Sequence, residues 1–310
     1  MSKSEKIHVG GQAVIEGVMM RAPRMFSVAV RRPNGSIVLK KEQYISWTKR
    51  MKMLGWPFIR GGVILLESLV LGIQALNFSG DIAMEEENAK KPGNKKARRS
   101  PVWLGLTILF ALGLGIGLFF FLPLLLTELT GVESGILFNL IDGGIRLAFF
   151  LIYLLLISQW KEIQRVFEYH GAEHKSIFAF EDGKPLTVDA LKDYTTHHPR
   201  CGTSFLLVVM LVSIMVFILL GKPQHMGDRL IRFLFIPVIG GVSYEVIRLS
   251  STRIGRKLSQ ILVAPGLWLQ RITTREPDEK QLEVALVALK GALDMEIAGS
   301  VELYDKPEPE

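Results

Sequence analysis

The sequence predicts a mainly α, polytopic helical membrane protein with about four transmembrane helices, a small N-terminal β-hairpin element and a C-terminal cytoplasmic helix. Three observations lead there. Apolar runs recur at the length of about 20 residues that a helix needs to cross a hydrocarbon core. Basic residues gather on alternate connecting loops. Hydrophobic residues make up 49% of the chain and its mean hydropathy is +0.29, more apolar than an ordinary soluble domain.

Residues 1–57 read as a cytoplasmic N-terminal segment. Residues 1–12 are polar and glycine-rich, without the apolar centre of a signal peptide. The run from Gly10 to Arg21 is dense in glycine and holds one carboxylate, Glu16. It reads either as a structural loop packed closely against something or as a site contributing Glu16. Met25–Val30 and Ser36–Lys40 then flank Pro33-Asn34-Gly35, a strong hairpin signal.

Residues 58–102 read as an interfacial or re-entrant helix followed by a basic linker. The stretch 58–80 is long enough to cross, but Arg60, Glu67 and Gln74 interrupt it. Residues 103–159 supply transmembrane helices 1 and 2. The first, 103–127, carries no charge. The second, 135–159, holds Asp142 and Arg146 at i, i+4, as a structural pair or part of an ion path. After a His-rich cytoplasmic segment at 160–203, residues 204–248 supply helices 3 and 4, over 204–221 and 230–248, with Arg232 and Glu245 near the ends of the last.

Residues 249–310 form a cytoplasmic C-terminal segment. Pro277 in a first turn, followed by Asp278 and Glu279, opens a helix whose Leu282, Ala285, Leu286 and Leu289 make one stripe and whose stop is Gly291. Residues 305–310 read as a disordered tail.

Loop charges orient the spans. Lys90, Lys91, Lys95, Lys96, Arg98 and Arg99 precede the first, Lys161 and Arg165 follow the second, and Arg253, Arg256 and Lys257 follow the fourth. Both termini and the 160–203 loop are therefore expected on the cytoplasmic side of the cell membrane. The net charge of +7 fits such basic loops better than nucleic-acid binding. A single cysteine rules out an internal disulfide.

Four of the six histidines and that cysteine fall between residues 170 and 201. His170 and His174 share a helix face with Glu173, an order that matches the H-x-x-E-H of inverted zincins. The helix carrying them is expected to continue from the second span. His197, His198 and Cys201 sit in the turn before the third span and can supply a third ligand. Glu245, expected on the same membrane side, is either a distant ligand or a partner of Arg248. Two readings stay open. One is a divalent transition-metal site, with zinc favoured by imidazole and thiolate ligands and Glu173 as general base. The other is a buried cluster of hydrogen-bonded core histidines. A nucleophilic Cys201 beside His197 or His198 is a further option.

The runs G-G-Q-A-V-I-E-G-V-M-M-R (10–21), Y-H-G-A-E-H-K (169–175), H-H-P-R-C-G-T-S-F (197–205) and T-T-R-E-P-D (273–278) resemble the YqhQ family of bacterial membrane proteins. That family is a domain of unknown function labelled a predicted metal-dependent enzyme. The resemblance implies that His170, Glu173, His174, His197, His198 and Cys201 lie behind the label. Two functional classes follow: a membrane-embedded metal-dependent hydrolase acting on a lipid-linked or membrane-protein substrate, or a non-enzymatic scaffold, assembly or ion-handling factor. Either has the lipid bilayer as its partner.

Overall fold

Alternating side chains in the N-terminal quarter build a sheet with two buried faces. In the computed structural model, which describes residues 7–89, 101–250, 256–297 and 301–304, β1 (Gly10–Val14), β2 (Gly17–Arg21), β3 (Met25–Arg31) and β4 (Ile37–Gln43) pair as successive antiparallel neighbours. The expected hairpin is β3–β4. Asn34 accepts from the Ser36 N–H at 2.9 Å, and Gly35 takes the positive φ of +91° that the turn requires. The glycine-dense 10–21 run is a second hairpin rather than a loop, turning at Ile15-Glu16 with Glu16 at φ +53°. Its glycines hide the strand signal, because the backbone there lies too close to neighbours for a side chain. A Cβ on Gly17 would stand 2.3 Å from the Ala29 carbonyl oxygen.

A short helix α1 (Trp47–Arg50), capped by Ser46, and a 3₁₀ turn (Lys52–Gly55) lead into α2 (Ile59–Ala89). One face of the sheet presents Met19, Phe26, Val28, Val30 and Val38 to Leu71, Ala75, Phe78 and Ile82 of α2. The first turns of α2 cross the distant segment 236–250 instead, where Gly61 faces Gly241 and Tyr244. Residues 59–84 are thus one helix, apolar and long enough to cross a membrane by length and composition, yet its second half lies under the sheet.

Four more stretches have such length and apolarity. The first joins α3 (Pro101–Ile116), a π-helical turn (Gly117–Phe121) and α4 (Leu122–Glu128). The others are α5 (Gly135–Ile157), then α8 (Gly202–Leu220) beyond α6 (Lys161–Glu181) and α7 (Val188–Lys192), and finally α9 (Met226–Leu234) with α10 (Ile236–Ser250). Phe110 and Leu219 are 72% and 86% exposed, an apolar belt that belongs in a bilayer. The chain is a multi-pass membrane protein with five candidate spans among the described residues. Four match the predicted spans; the fifth is the helix read as interfacial.

Between these helices, Arg146 lies 3.0 Å from Asp142 on α5, and Arg232 donates to Asn139 at 2.8 Å and to the Gly221 carbonyl. Arg146 also lies over the rings of Phe120 and Phe217. The intrahelical pair is therefore part of a larger buried group to which α9 contributes a second arginine.

The helix expected to continue from the second span breaks instead. Trp160 is extended at the N-cap of α6, so α6 leaves the axis of α5. α11 (Arg256–Thr273) precedes α12 (Glu279–Ala292), which packs on the second sheet face, formed by Val18, Met20, Ala29, Ile37 and Leu39. Asp278, not Pro277, starts α12, through a capping box with Gln281. Gly291 is not the stop but a close approach, with Ser27 and Leu39 within 3.3 Å of where its Cβ would be. β5 (Val301–Leu303) adds to β4 in parallel, giving the order β1-β2-β3-β4-β5. Lys90, Lys91, Lys95, Lys96, Arg98, Arg99, Arg253 and the 305–310 tail lie outside the described residues.

Candidate metal centre

α6 puts His170, Glu173 and His174 on one face, and that face is buried by β1, α12 and the 273–276 stretch. The close fit depends on glycine at two points. A Cβ on Gly171 would lie 2.1 Å from the Arg275 carbonyl oxygen, and one on Gly11 would lie 2.7 Å from Glu173 Cγ. The 270–281 strip is fastened along α6: the Arg275 N–H donates to the Phe167 carbonyl at 3.0 Å, Lys175 pairs with Glu276, and Gln281 donates to Glu168 at 2.7 Å.

This docking sets the tautomers of both imidazoles. The Thr273 carbonyl lies 2.8 Å from His170 Nδ1, and the Thr196 carbonyl is hydrogen-bonded to His174 Nδ1. A carbonyl only accepts, so both Nδ1 atoms carry a proton, and in the neutral ring each Nε2 atom then keeps its lone pair. Metal-ligating histidines are held in this way. Cys201, the N-cap of α8, accepts from the Thr203 N–H at 3.4 Å and brings its Sγ 3.2 Å from His170 Nε2. Among the described residues, His170, His174 and Cys201 each bring one ligand atom within 4.8 Å of the others. Tetrahedral zinc, with bonds of about 2.0–2.1 Å to nitrogen and 2.3 Å to sulfur, separates such atoms by roughly 3.3–3.6 Å, which small side-chain adjustments reach.

Glu173, 5% exposed, places Oε2 3.8 Å from His170 Nε2 and 3.9 Å from His174 Nε2. Burial pushes its carboxyl up to about 7, against the lowering from His170 and the donating Gly11 N–H. It adjoins both imidazoles of the trio.

The remaining sequence candidates lie elsewhere. His198 turns the other way: its Nδ1 accepts from the Arg200 N–H at 3.2 Å, so its proton sits on Nε2, 3.6 Å from Glu181. Burial, then His174 and Arg200, hold its pKa down to about 3. Its ring lies 5.7 Å from that of His174, tilted by 37°, but offers no lone pair to the trio. His197 bonds locally to Thr195 at 3.2 Å, outside the trio. Glu16 takes up Arg165 and accepts from Tyr169 at 3.3 Å, a neighbouring ion pair on α6 rather than a ligand. Glu245 accepts from Arg60 Nε and Nη2 through both carboxylate oxygens, because α2 crosses α10 there, and Arg248 adds only a weaker electrostatic attraction.

Sequence reasoning missed Glu181, Gln270 and the two carbonyl anchors. Gln270 accepts from the His198 N–H at 2.7 Å and donates to the His198 carbonyl at 2.9 Å, holding the 198–201 turn on α11. Main-chain acceptors leave no residue-type signal. The glycine density around Gly11 was the one readable sign.

A family model described as a protein of unknown function (DUF1385) matches residues 56–295. The chain is also 33% identical over 298 residues to the uncharacterized protein YqhQ of Bacillus subtilis (strain 168), a match covering 93% of this chain and 92% of that protein. No solved structure matches. The glycine, histidine and cysteine runs that build the centre thus lie in a chain that belongs to the YqhQ family, DUF1385, of proteins of unknown function.

Proposed function

We propose that this is a membrane-embedded metal-dependent hydrolase whose centre faces the cytoplasm, with His170, His174 and Cys201 as ligands. One observation carries the reading. Both Nδ1 atoms are tied to carbonyls, which turns both Nε2 atoms, lone-pair donors in the neutral rings, toward the Cys201 sulfur. A bound divalent ion, zinc by ligand type, supplies Lewis acidity and an activated water. Glu173 would be the proton acceptor beside such an ion, because it lies next to both imidazoles and its raised pKa suits proton transfer near neutrality. His198 and Glu181 hold the wall next to His174. A site adjoining the bases of the α5 and α8 spans suits a lipid-linked or membrane-protein substrate.

Purified protein is expected to carry close to one zinc per chain by elemental analysis. His170→Ala loses most of it, since a three-ligand site spares no donor, whereas Glu173→Gln keeps the metal and abolishes turnover. If Glu173→Gln also loses the metal, the carboxylate is a ligand and its role as base is wrong. Metal-free protein that takes up no added zinc and keeps its fold overturns the metal reading and leaves the non-enzymatic scaffold or the metal-free cysteine chemistry below. A second reading rests on the 3.2 Å contact between His170 Nε2 and Cys201 Sγ, a thiol–imidazole pair of the kind that activates a nucleophilic cysteine. Rapid alkylation of Cys201 in the metal-free protein, slowed in His170→Ala, favours it.

A further inference from the structure

Residues 45–59 expose large apolar side chains although the segment is tied to the fold at both ends. Trp47, Met51, Met53, Trp56, Phe58 and Ile59 all face outward, 39–65% exposed. Lys49, Arg50 and Lys52, interleaved with them, are exposed as well. None of the three bases has an ion pair or side-chain hydrogen bond among the described residues.

The segment is held from both ends. Buried Glu67 on α2 accepts from Ser46 Oγ at 2.9 Å and from the Trp47 N–H, and it also pairs with Arg21 of β2 at 3.1 Å. At the other end Phe58 adopts φ +66°, a conformation that bulky residues avoid. Its carbonyl oxygen presses against Gly241, where a Cβ would come within 2.1 Å. Arg60 then grips Glu245. Gly241 and Glu245 lie in the closing turns of the candidate span Met226–Leu249, so the patch sits where that span leaves the hydrocarbon.

Tryptophan and methionine interleaved with lysine and arginine, at the mouth of a membrane span, is the chemistry of a headgroup interface. α10, against which the patch is docked, also exposes Val238 and Leu249. Its free positive charges complement acidic phospholipid.

We infer that residues 45–59 are an interfacial anchor seated on acidic phospholipid, with Trp47 and Trp56 at headgroup level and Lys49, Arg50 and Lys52 against the phosphates. The chain of contacts Trp47–Glu67–Arg21 transmits that seating to β2. The anchor thereby sets the tilt of the sheet, and of the α6 centre packed on it, relative to the bilayer.

The test uses full-length protein in nanodiscs. The five tryptophans are reduced to Trp47 or Trp56 alone by Trp→Phe exchange. Brominated phosphatidylglycerol, diluted into phosphatidylcholine, is expected to quench both positions, while aqueous iodide spares them. The Lys49→Gln/Lys52→Gln pair, checked for an unchanged melting temperature, weakens the preference for phosphatidylglycerol over phosphatidylcholine roughly tenfold or more. Iodide quenching of Trp56 without bromolipid quenching means that the patch faces water or a protein partner, and overturns the anchor. Unchanged lipid preference in the double variant overturns its acidic-lipid selectivity.

Discussion

Glu173 and His198 lie in one buried cluster, and burial acts on them in opposite directions. Glu173 holds its proton up to about 7 instead of 4.5, and His198 refuses one down to about 3 instead of 6.5. Unfolded, both titrate at their ordinary values. As pH rises from 4.5 toward 7 the unfolded chain releases the Glu173 proton that the fold retains, so the fold loses stability. As pH falls through 6.5 the unfolded chain gains a proton that folded His198 cannot, and stability is lost on that side. The two effects oppose each other between 4.5 and 6.5. In metal-free protein, Glu173→Gln is therefore expected to abolish the loss of Tm on raising the pH, and His198→Gln the loss on lowering it. Tm profiles from pH 4 to 8 in detergent check this; parallel profiles for wild type and both variants contradict it. At this scale the i, i+4 spacing of His170 and His174 was legible, because helical geometry is local. The choice of Cys201 over His197 and His198 was not, because side-chain direction in a turn depends on what the turn packs against.

Elements meet at the centre through α6, whose Gly171 lets the 273–276 strip lie directly on it. A methyl group there has no space. Gly171→Ala is expected to cost about 1–3 kcal/mol by overpacking. It should also lower zinc occupancy, since the Thr273 carbonyl that orients His170 must move. Gly10→Ala, with nothing within 4 Å of its Cβ, should change neither. Thermal melts and elemental analysis of the two variants decide the point; a Gly171→Ala protein with wild-type stability and zinc rules out the close docking. The spans and the β3–β4 hairpin were readable because apolar runs and an Asn-Gly turn are signals within one segment. The β1–β2 hairpin and the break between α5 and α6 were not, since glycine carries no strand propensity and nothing in the residue types at Ser158–Trp160 marks where one helix stops and the next, capped by an extended Trp160, begins.

At the scale of the whole molecule, a sheet sits between α2 on one face and α6 with α12 on the other, beside the apolar helices. Half of α2 is committed to the sheet through Leu71, Ala75, Phe78 and Ile82. A full crossing would carry that sheet face, and the charged strand ends beyond it, into hydrocarbon. We therefore expect reporters fused after residues 40 and 89 to fall on the same side as reporters after 180 and at the C terminus, with the 128–134 link opposite. Reporters at 40 and 89 on opposite sides mean that α2 crosses. An outward signal at 180 inverts the orientation.

By itself the sequence determined the membrane class, four of the candidate spans, one hairpin and the helical His-Glu-His face. Each follows from hydropathy or periodicity within a single segment. Tertiary structure alone decided how the 10–21, 169–201 and 273–278 runs meet, which atom of each imidazole is free, and how much of α2 is covered. Those outcomes depend on contacts between residues scores of positions apart, and two of them pass through backbone carbonyls that every residue type carries alike.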